Sequence, residues 1–469
     1  MKPRSPINRR QFLGQASCAA VGSTALFSTL MNLRMASAAA LDSDPADYKA
    51  LVCVFLFGGN DSWNVLIPKG ASDTAPEYRE YTKTRKDLAL DRAGVHTLNT
   101  LNSDGRIFGV HNGLKGLADL YNSGKLAFVS NVGSLMRPTT LSDFQKNLNV
   151  PYGLFSHSSQ QQQWQTSICD RSTEIGWAGR AADLLYSMNG NSSVSMNLSL
   201  NGTNIFQTGR SVFSYGIGTH GAPTLYSNTD YKAAILRETA LNSQMDVQYK
   251  NLFEQTFSQQ AKNSIEGNLL FNDAVAGITL DPTIDAAFPK TYFGDQLKMA
   301  SRVIAARKQL GVKRQTFFIG WGGFDYHSAL KVSMNGMMPE LSAGVTAFNN
   351  AMVNLSEDNN VTLFQVSDFG RTLTSNNGGA DHAWGGNAFV VGGAVNGQKI
   401  YGTYPSLGVG AGNPLDTGQG RLIPTTSVDQ FAAELALWLG VSQANLDQVL
   451  PNIRTFYSGI GQPLGFMKM

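Results

Sequence analysis

The chain has 469 residues and a formal net charge of +3, but residues 1–40 hold five basic residues (Lys2, Arg4, Arg9, Arg10, Arg34) and no acid. Without that segment the net charge is about −2, so the apparent basicity implies no nucleic-acid partner. Beyond residue 40 no stretch is long and apolar enough to span a bilayer, and the remaining length suffices for one large α/β domain or two.

Residues 1–40 read as an export signal. A twin-arginine pair, Arg9-Arg10, precedes Phe12-Leu13-Gly14; a weakly apolar Ala/Gly/Ser-rich stretch follows, and small residues at Ala36-Ser37-Ala38 fit a signal-peptidase site. The expectation is passage through the Tat translocase, cleavage, a periplasmic or secreted location and no stable transmembrane segment afterwards. An uncleaved membrane anchor is the alternative. Cys18 lacks the leucine-rich run that precedes a lipidated cysteine. Cys53, inside "ALVCVFLF", reads as a small core residue, and its pairing with Cys169 is left open by the sequence.

Short β-branched or aromatic runs follow at Ala50 to Phe57, Leu126 to Asn131, Arg314 to Ile319, Val361 to Val366 and Ala388 to Val391. Each reads as a strand buried on both faces. Between them lie helical patterns: "NGLKGLADLYNSG" and "EIGWAGRAADLLYSM", a long polar region from Tyr231 to Gly277 interrupted at Gly267, "YFGDQLKMASRVIAARKQLG", and "DQFAAELALWLG" with its glycine stop. This alternation predicts an α/β fold with a mainly parallel sheet covered on both faces. One domain over 41–469 is expected, with 189–228 as a β insertion or cap and 229–277 as a helical insertion.

Three predicted strands end alike. Ala50 to Phe57 runs into Gly58-Gly59-Asn60-Asp61, "TFFIG" into Trp321-Gly322-Gly323-Phe324-Asp325-Tyr326-His327, and "VTLFQV" into Ser367-Asp368-Phe369-Gly370-Arg371. Ligands of open α/β sheets gather beyond the carboxyl ends of strands, where glycines let backbone approach closely. Asp and His suit Zn²⁺, and carboxylates also suit Mn²⁺, Mg²⁺ or Ca²⁺. Asp61, Asp325, His327, Asp368 and the pair Asp381-His382 in "GGADHAWGG" are the candidate metal ligands. The alternatives are ordinary: Asp61 and Asp368 as helix caps, Asp325 and His327 as turn residues, Arg371 as a salt-bridge partner that fixes its loop. If Arg371 instead faces a ligand, its guanidinium suits two oxygens of a phosphate or sulfate group.

"LFGGNDSWNVLIP", "GGFDYH", "SDFGRT", "GGADHAWGGNAFVVGGAVNGQKIYG" and "TSVDQFAAELALWLGVSQANLDQVLPNI" together resemble the Tat-exported bacterial family Domain of Unknown Function 1501, related to the sulfatase and alkaline-phosphatase superfamily. That resemblance implies an alkaline-phosphatase-like three-layer α/β/α sandwich. It also implies metal-ligand roles for Asp61, Asp325, His327, Asp368 and His382. Phe369 stands where the superfamily has a histidine, so one ligand of a two-metal centre is missing, with Asp381 as the substitute. Neither cysteine lies in the Cys/Ser-x-Pro-x-Arg context of a formylglycine sulfatase, so that class is excluded. In "LFSHSSQQQQWQ" Ser156 is the candidate nucleophile, against a plain helix-cap role, and His157 a ligand or acid. His111 reads as a structural loop histidine. The functional expectation is an exported metal-dependent hydrolase of a small phosphate or sulfate ester. The alternative is a non-catalytic envelope or surface-binding protein that keeps the fold.

Overall fold

A computed structural model describes residues 47–190, 194–223 and 231–469. The expected export signal, with Arg9, Arg10 and the small residues near Ala38, lies outside the described residues.

Twelve strands occur among the described residues: β1 (Lys49–Leu56), β2 (Leu66–Pro68), β3 (His96–Thr97), β4 (Phe108–Val110), β5 (Leu126–Gly133), β6 (Asn197–Ser199), β7 (Tyr215–Gly216), β8 (Arg314–Trp321), β9 (Val361–Ser367), β10 (Gly386–Val391), β11 (Ile400–Tyr401) and β12 (Thr426–Ser427). Nine form one sheet in the order β11-β5-β10-β9-β1-β8-β6-β7, with β12 also on β5. The pairings of β1 with β8 and β9, β6 with β7 and β8, and β5 with β11 and β12 are parallel; β10 alone runs antiparallel to its neighbours. β2, β4 and β3 make a separate small antiparallel sheet.

The sequence of β1 shows why it is central. Ala50, Val52, Val54 and Leu56 enter one apolar cluster, while Leu51, Cys53 and Phe55 enter another. Side chains alternate across a strand, so a run apolar at every position must be covered on both faces. The first cluster takes in Phe293, Leu297, Ala300 and Ile304 of helix Tyr292–Ala305 and Met334, Leu341, Val345 and Phe348 of helix Leu330–Asn354. The second takes in Trp177 and Ala181 of helix Trp177–Leu185 and Phe431, Leu435 and Trp438 of helix Val428–Leu439. That last helix starts with a Ser427/Gln430 capping box and stops at left-handed Gly440, the glycine stop expected from the sequence.

One detail differs from the sequence reading. The break in the long helical region falls between helices Tyr231–Met245 and Leu252–Ala276, not at Gly267, which is buried inside the second helix. The 189–228 region contributes β6 and β7 to the edge of the central sheet. Cys53 and Cys169 are both buried free thiols, and among the described residues no helix is long and apolar enough to cross a membrane.

Register positions the site. Leu56, the last residue of β1, pairs with Trp321 on β8 and with Ser367 on β9. Three adjacent parallel strands therefore end level, and the loops bearing Asp61, Asp325 and Asp368 leave the sheet side by side.

Candidate metal centre

The three loops touch. Gly58 has φ +118°, and a Cβ there would stand 2.5 Å from the Asp325 amide nitrogen, so the first loop can lie against the second only without a side chain. Arg371, fully buried, ties the loops together. Its Nε donates to Gly59 O (2.8 Å) and its Nη1 to Ala380 O (2.9 Å); its Nη2 donates to Phe324 O (3.2 Å), Gly58 O and the Asp325 carboxylate. This is the loop-fixing alternative for Arg371 in extended form: one guanidinium satisfies carbonyls from three segments and carries one ion pair.

Above this scaffold three histidines meet one carboxylate. His157, Asp325 and His382 each offer a ligand atom, all within 4.8 Å of one another. His157 Nε2 is 3.5 Å from Asp325 Oδ2, and His382 Nε2 is 3.5 Å from Asp325 Oδ1. His327 Nε2 lies 3.1 Å from Asp325 Oδ1 and 2.9 Å from His382 Nε2.

The outer ring nitrogens decide the protonation pattern. His157 Nδ1 is 2.7 Å from Asp368 Oδ2, His382 Nδ1 is 2.8 Å from Phe155 O, and His327 Nδ1 is 3.3 Å from Asp381 Oδ1. All three partners accept hydrogen bonds, so each neutral ring carries its proton on Nδ1 and turns an Nε2 lone pair inward. Inward lone pairs with outer nitrogens held by carboxylate or carbonyl are the arrangement of metal-binding histidines. Tetrahedral ligands at the usual zinc distances stand ~3.3 Å apart, near the 3.5 Å that separates Asp325 from each of His157 and His382, within a grouping whose ligand atoms all lie within 4.8 Å.

The supports are themselves held. Asp368, fully buried, also accepts from Gln161 Nε2 (2.8 Å) and Gly58 N (3.2 Å). Asp381 accepts from Asn376 Nδ2 (2.7 Å). Phe155 adopts φ +70° and donates its N–H to Gln160 Oε1 (2.7 Å), a constrained backbone that presents its carbonyl to His382. The Phe369 ring packs against His157 and His382, with centroids 4.9 and 4.6 Å away. Burial, with the Arg371 charge and the two neighbouring rings, lowers the His382 pKa below the ordinary histidine value; the Phe155 hydrogen bond opposes this. At Asp325 burial raises the carboxyl pKa, but the hydrogen bond and charge of Arg371, with smaller contributions from His327 and His157, outweigh it and the net shift is downward. Both shifts favour the ligand-competent forms, neutral imidazole and ionised carboxylate.

Of the sequence-predicted residues, the fold thus brings together His157, Asp325, His327, Asp368, Asp381, His382 and Arg371. Asp61 stands apart from the grouping. It is fully buried and paired with equally buried Arg85, which also donates to Thr372 O (2.9 Å). Burial nevertheless leaves the Asp61 pKa raised, and its Oδ1 has no hydrogen-bond partner. Ser156 is the N-cap residue of helix His157–Thr166, but its side chain makes no capping bond; its Oγ lies 3.1 Å from Ser158 Oγ. His111 is buried, accepts from Gly113 N (3.0 Å) and has its pKa lowered to about 4 by burial and the nearby His96. Sequence reasoning missed Phe155 and Gln161. Gln161 was within reach: it follows His157 by four residues, one helical turn on the same face. The carbonyl role of Phe155 leaves no trace in side-chain identity.

No curated protein matches the chain in sequence. Among solved structures, Ps i-CgsB in complex with k-i-k-neocarrahexaose shows 9% identity and a TM-score of 0.34, covering 86% of this chain and 74% of its own. The alkaline phosphatase from the Antarctic bacterium TAB5 shows 11% identity and a TM-score of 0.20, covering 74% and 91%. Likenesses this weak carry no argument about the site. The family described as protein of unknown function (DUF1501) matches residues 48–419, and the chain belongs to that family.

Proposed function

We propose that this protein is an exported, metal-dependent hydrolase of small phosphate or sulfate esters, built on the alkaline-phosphatase-like α/β/α plan with an inserted cap. The carrying observation is the convergence of three imidazole Nε2 atoms on Asp325, each with its Nδ1 held from outside. His157, Asp325 and His382 would hold one divalent ion, with His327 beside them. A set richer in imidazole than in oxygen fits Zn²⁺ better than Mg²⁺ or Ca²⁺. Such an ion, when bound, supplies Lewis-acid polarisation of an ester oxygen and lowers the pKa of a coordinated hydroxyl.

The chain's own groups divide the remaining work. Asp368 and Asp381 orient His157 and His327, and Arg371 keeps Asp325 ionised and in place. Ser156 is the nucleophile in this reading. Its hydroxyl makes no capping bond, it precedes His157 directly, and it sits at the positive end of a ten-residue helix. Asp61 supports the loop through Arg85 and is not assigned a ligand role.

A non-catalytic surface-binding protein with one structural metal is the second reading. It is favoured by the ion pair of Asp325 with Arg371 and by Phe369, which fills the floor between His157 and His382. Zinc-loaded mature protein assayed with aryl phosphate and aryl sulfate, beside its Ser156→Ala variant, separates the two. Turnover lost on substitution supports the hydrolase. A metal-loaded protein inert to both esters supports the binding protein.

A further inference from the structure

Arg371 has no edge to offer a ligand: it is fully buried and each of its nitrogens already donates to a carbonyl or to Asp325. A second arginine beside the same histidines is arranged in the opposite way. Arg421 is half-buried. Its Nε donates to the backbone oxygen of His382 (3.0 Å), and its guanidinium carbon lies 5.3 Å from the centre of the Phe155 ring. Those residues are linked by the bond from His382 Nδ1 to Phe155 O (2.8 Å), so Arg421 is fixed to the two groups that frame one side of the centre. Among the described residues, its terminal nitrogens Nη1 and Nη2 have no hydrogen-bond partner and Arg421 enters no ion pair.

The loop that carries Arg421 is itself rigid. Arg421 N donates to Gly418 O (3.1 Å), and Arg421 O accepts from Thr417 N and Thr417 Oγ1. The acid of this loop, Asp416, is occupied by the amides of Gly410, Gly418 and Gly420, at 2.7–2.8 Å, and leaves the guanidinium alone. A planar cation pinned through Nε and one face, with its two-nitrogen edge unused, matches two oxygens of a tetrahedral oxyanion, and the fixed geometry spares the ordering cost of a flexible lysine.

We propose that Arg421 forms an oxyanion subsite whose Nη1/Nη2 edge takes two non-bridging oxygens of a phosphate or sulfate group lying against His157, Asp325 and His382. This rests on the metal-dependent hydrolase reading for the neighbouring ion, but the arginine contact itself does not require the ion. The test is calorimetric titration of the full mature protein, both zinc-loaded and chelator-treated, with inorganic phosphate and in a separate arm with sulfate. Wild type is compared with Arg421→Gln and Arg421→Lys. Expected is a loss of ~10–100-fold in affinity for the preferred anion in Arg421→Gln, a smaller loss in Arg421→Lys, and unchanged zinc content and melting temperature. If zinc fails to bind but wild type still takes up an anion that Arg421→Gln does not, the subsite stands and the metal reading falls. If zinc binds and both proteins bind the anions equally, the metal reading stands and the subsite falls. Absence of anion binding in every state, or loss of zinc together with the anion in both variants, also overturns the subsite; the latter would make Arg421 a support for His382.

Discussion

His327 and His382 face each other with their Nε2 atoms 2.9 Å apart, while the Nδ1 of each ring points to an acceptor. Two neutral imidazoles held this way aim lone pairs at each other, so the contact calls for a cation between them. Zinc is therefore predicted to bind at neutral pH, where the lowered His382 pKa leaves that ring unprotonated, measurable by calorimetric titration. Since the His382 pKa is lowered, acid must go below the ordinary histidine range before protonation of that ring expels the ion. Removal of metal by chelator should lower the melting temperature. At free zinc 100-fold above Kd the bound ion adds about 2.7 kcal/mol.

Asp368 reaches the proposed ion only through His157. Asp368→Asn keeps the shape but weakens the hold on Nδ1 and the basicity of Nε2, so zinc affinity is expected to fall ~10–100-fold with little change in fold. Competition with a chromophoric chelator, read beside circular dichroism, checks this. Unchanged affinity would place Asp368 outside the support of the centre.

Arg371→Lys is expected to damage the whole scaffold. A lysine ammonium cannot meet carbonyls of Gly59, Ala380 and Phe324 together with Asp325, and removal of one member of such a buried network costs ~3–5 kcal/mol. Urea unfolding should show that loss. A variant of near-native stability that merely binds anions less well would restore Arg371 to the ligand-facing role.

Gly59→Ala tests the floor of the site. Gly59 has φ +85°, and a Cβ there would lie 2.3 Å from the Phe369 ring, which packs against His157 and His382. Strain and overpacking should cost ~2–4 kcal/mol and reduce zinc affinity by displacing the ring. A fully stable, fully loaded Gly59→Ala protein would contradict the packing described.

Asp429 gives a pH-dependent test of the fold away from the site. It is fully buried, and burial raises its pKa to about 7 against the opposing effects of the Ser167 hydroxyl, its own backbone N–H and the charge of Arg180. Between the model-peptide value and about 7 the folded chain keeps a proton that the unfolded chain releases, so this group's contribution falls as pH rises through that window and is level above it. Asp429→Asn should match wild type near pH 4 and be more stable by ~1–3 kcal/mol at pH 8. Parallel stability profiles for the two proteins would rule out the linkage.

The central strands were legible because each carries a β-branched or aromatic apolar run and is buried along nearly all its length: β1, β5, β8 and β9 lie within three residues of the runs read from sequence. The reversed direction of β10 was not, since an apolar run has no polarity of its own. At the site, the level ends of β1, β8 and β9 explain why Asp325, His327 and Asp368 were found from strand-end position alone. Their division into inner and outer positions was hidden, because it depends on which atom of each side chain faces inward. Asp61 shares the strand-end signature of the others, yet buried Arg85, 24 residues further on, takes its carboxylate. No spacing rule announces such a partner. Arg421 was invisible for the same reason: its relation to His382 runs through a backbone oxygen.

Metal content of the purified mature protein is the most direct test of the account. Elemental analysis after growth and purification without chelator should find about one divalent ion per chain, with zinc preferred on re-addition. It should find almost none in a folded His157→Ala/His382→Ala variant. A wild-type protein that stays metal-free at micromolar zinc, or a double variant that keeps the full complement, would contradict the proposal that His157, Asp325 and His382 form a metal centre.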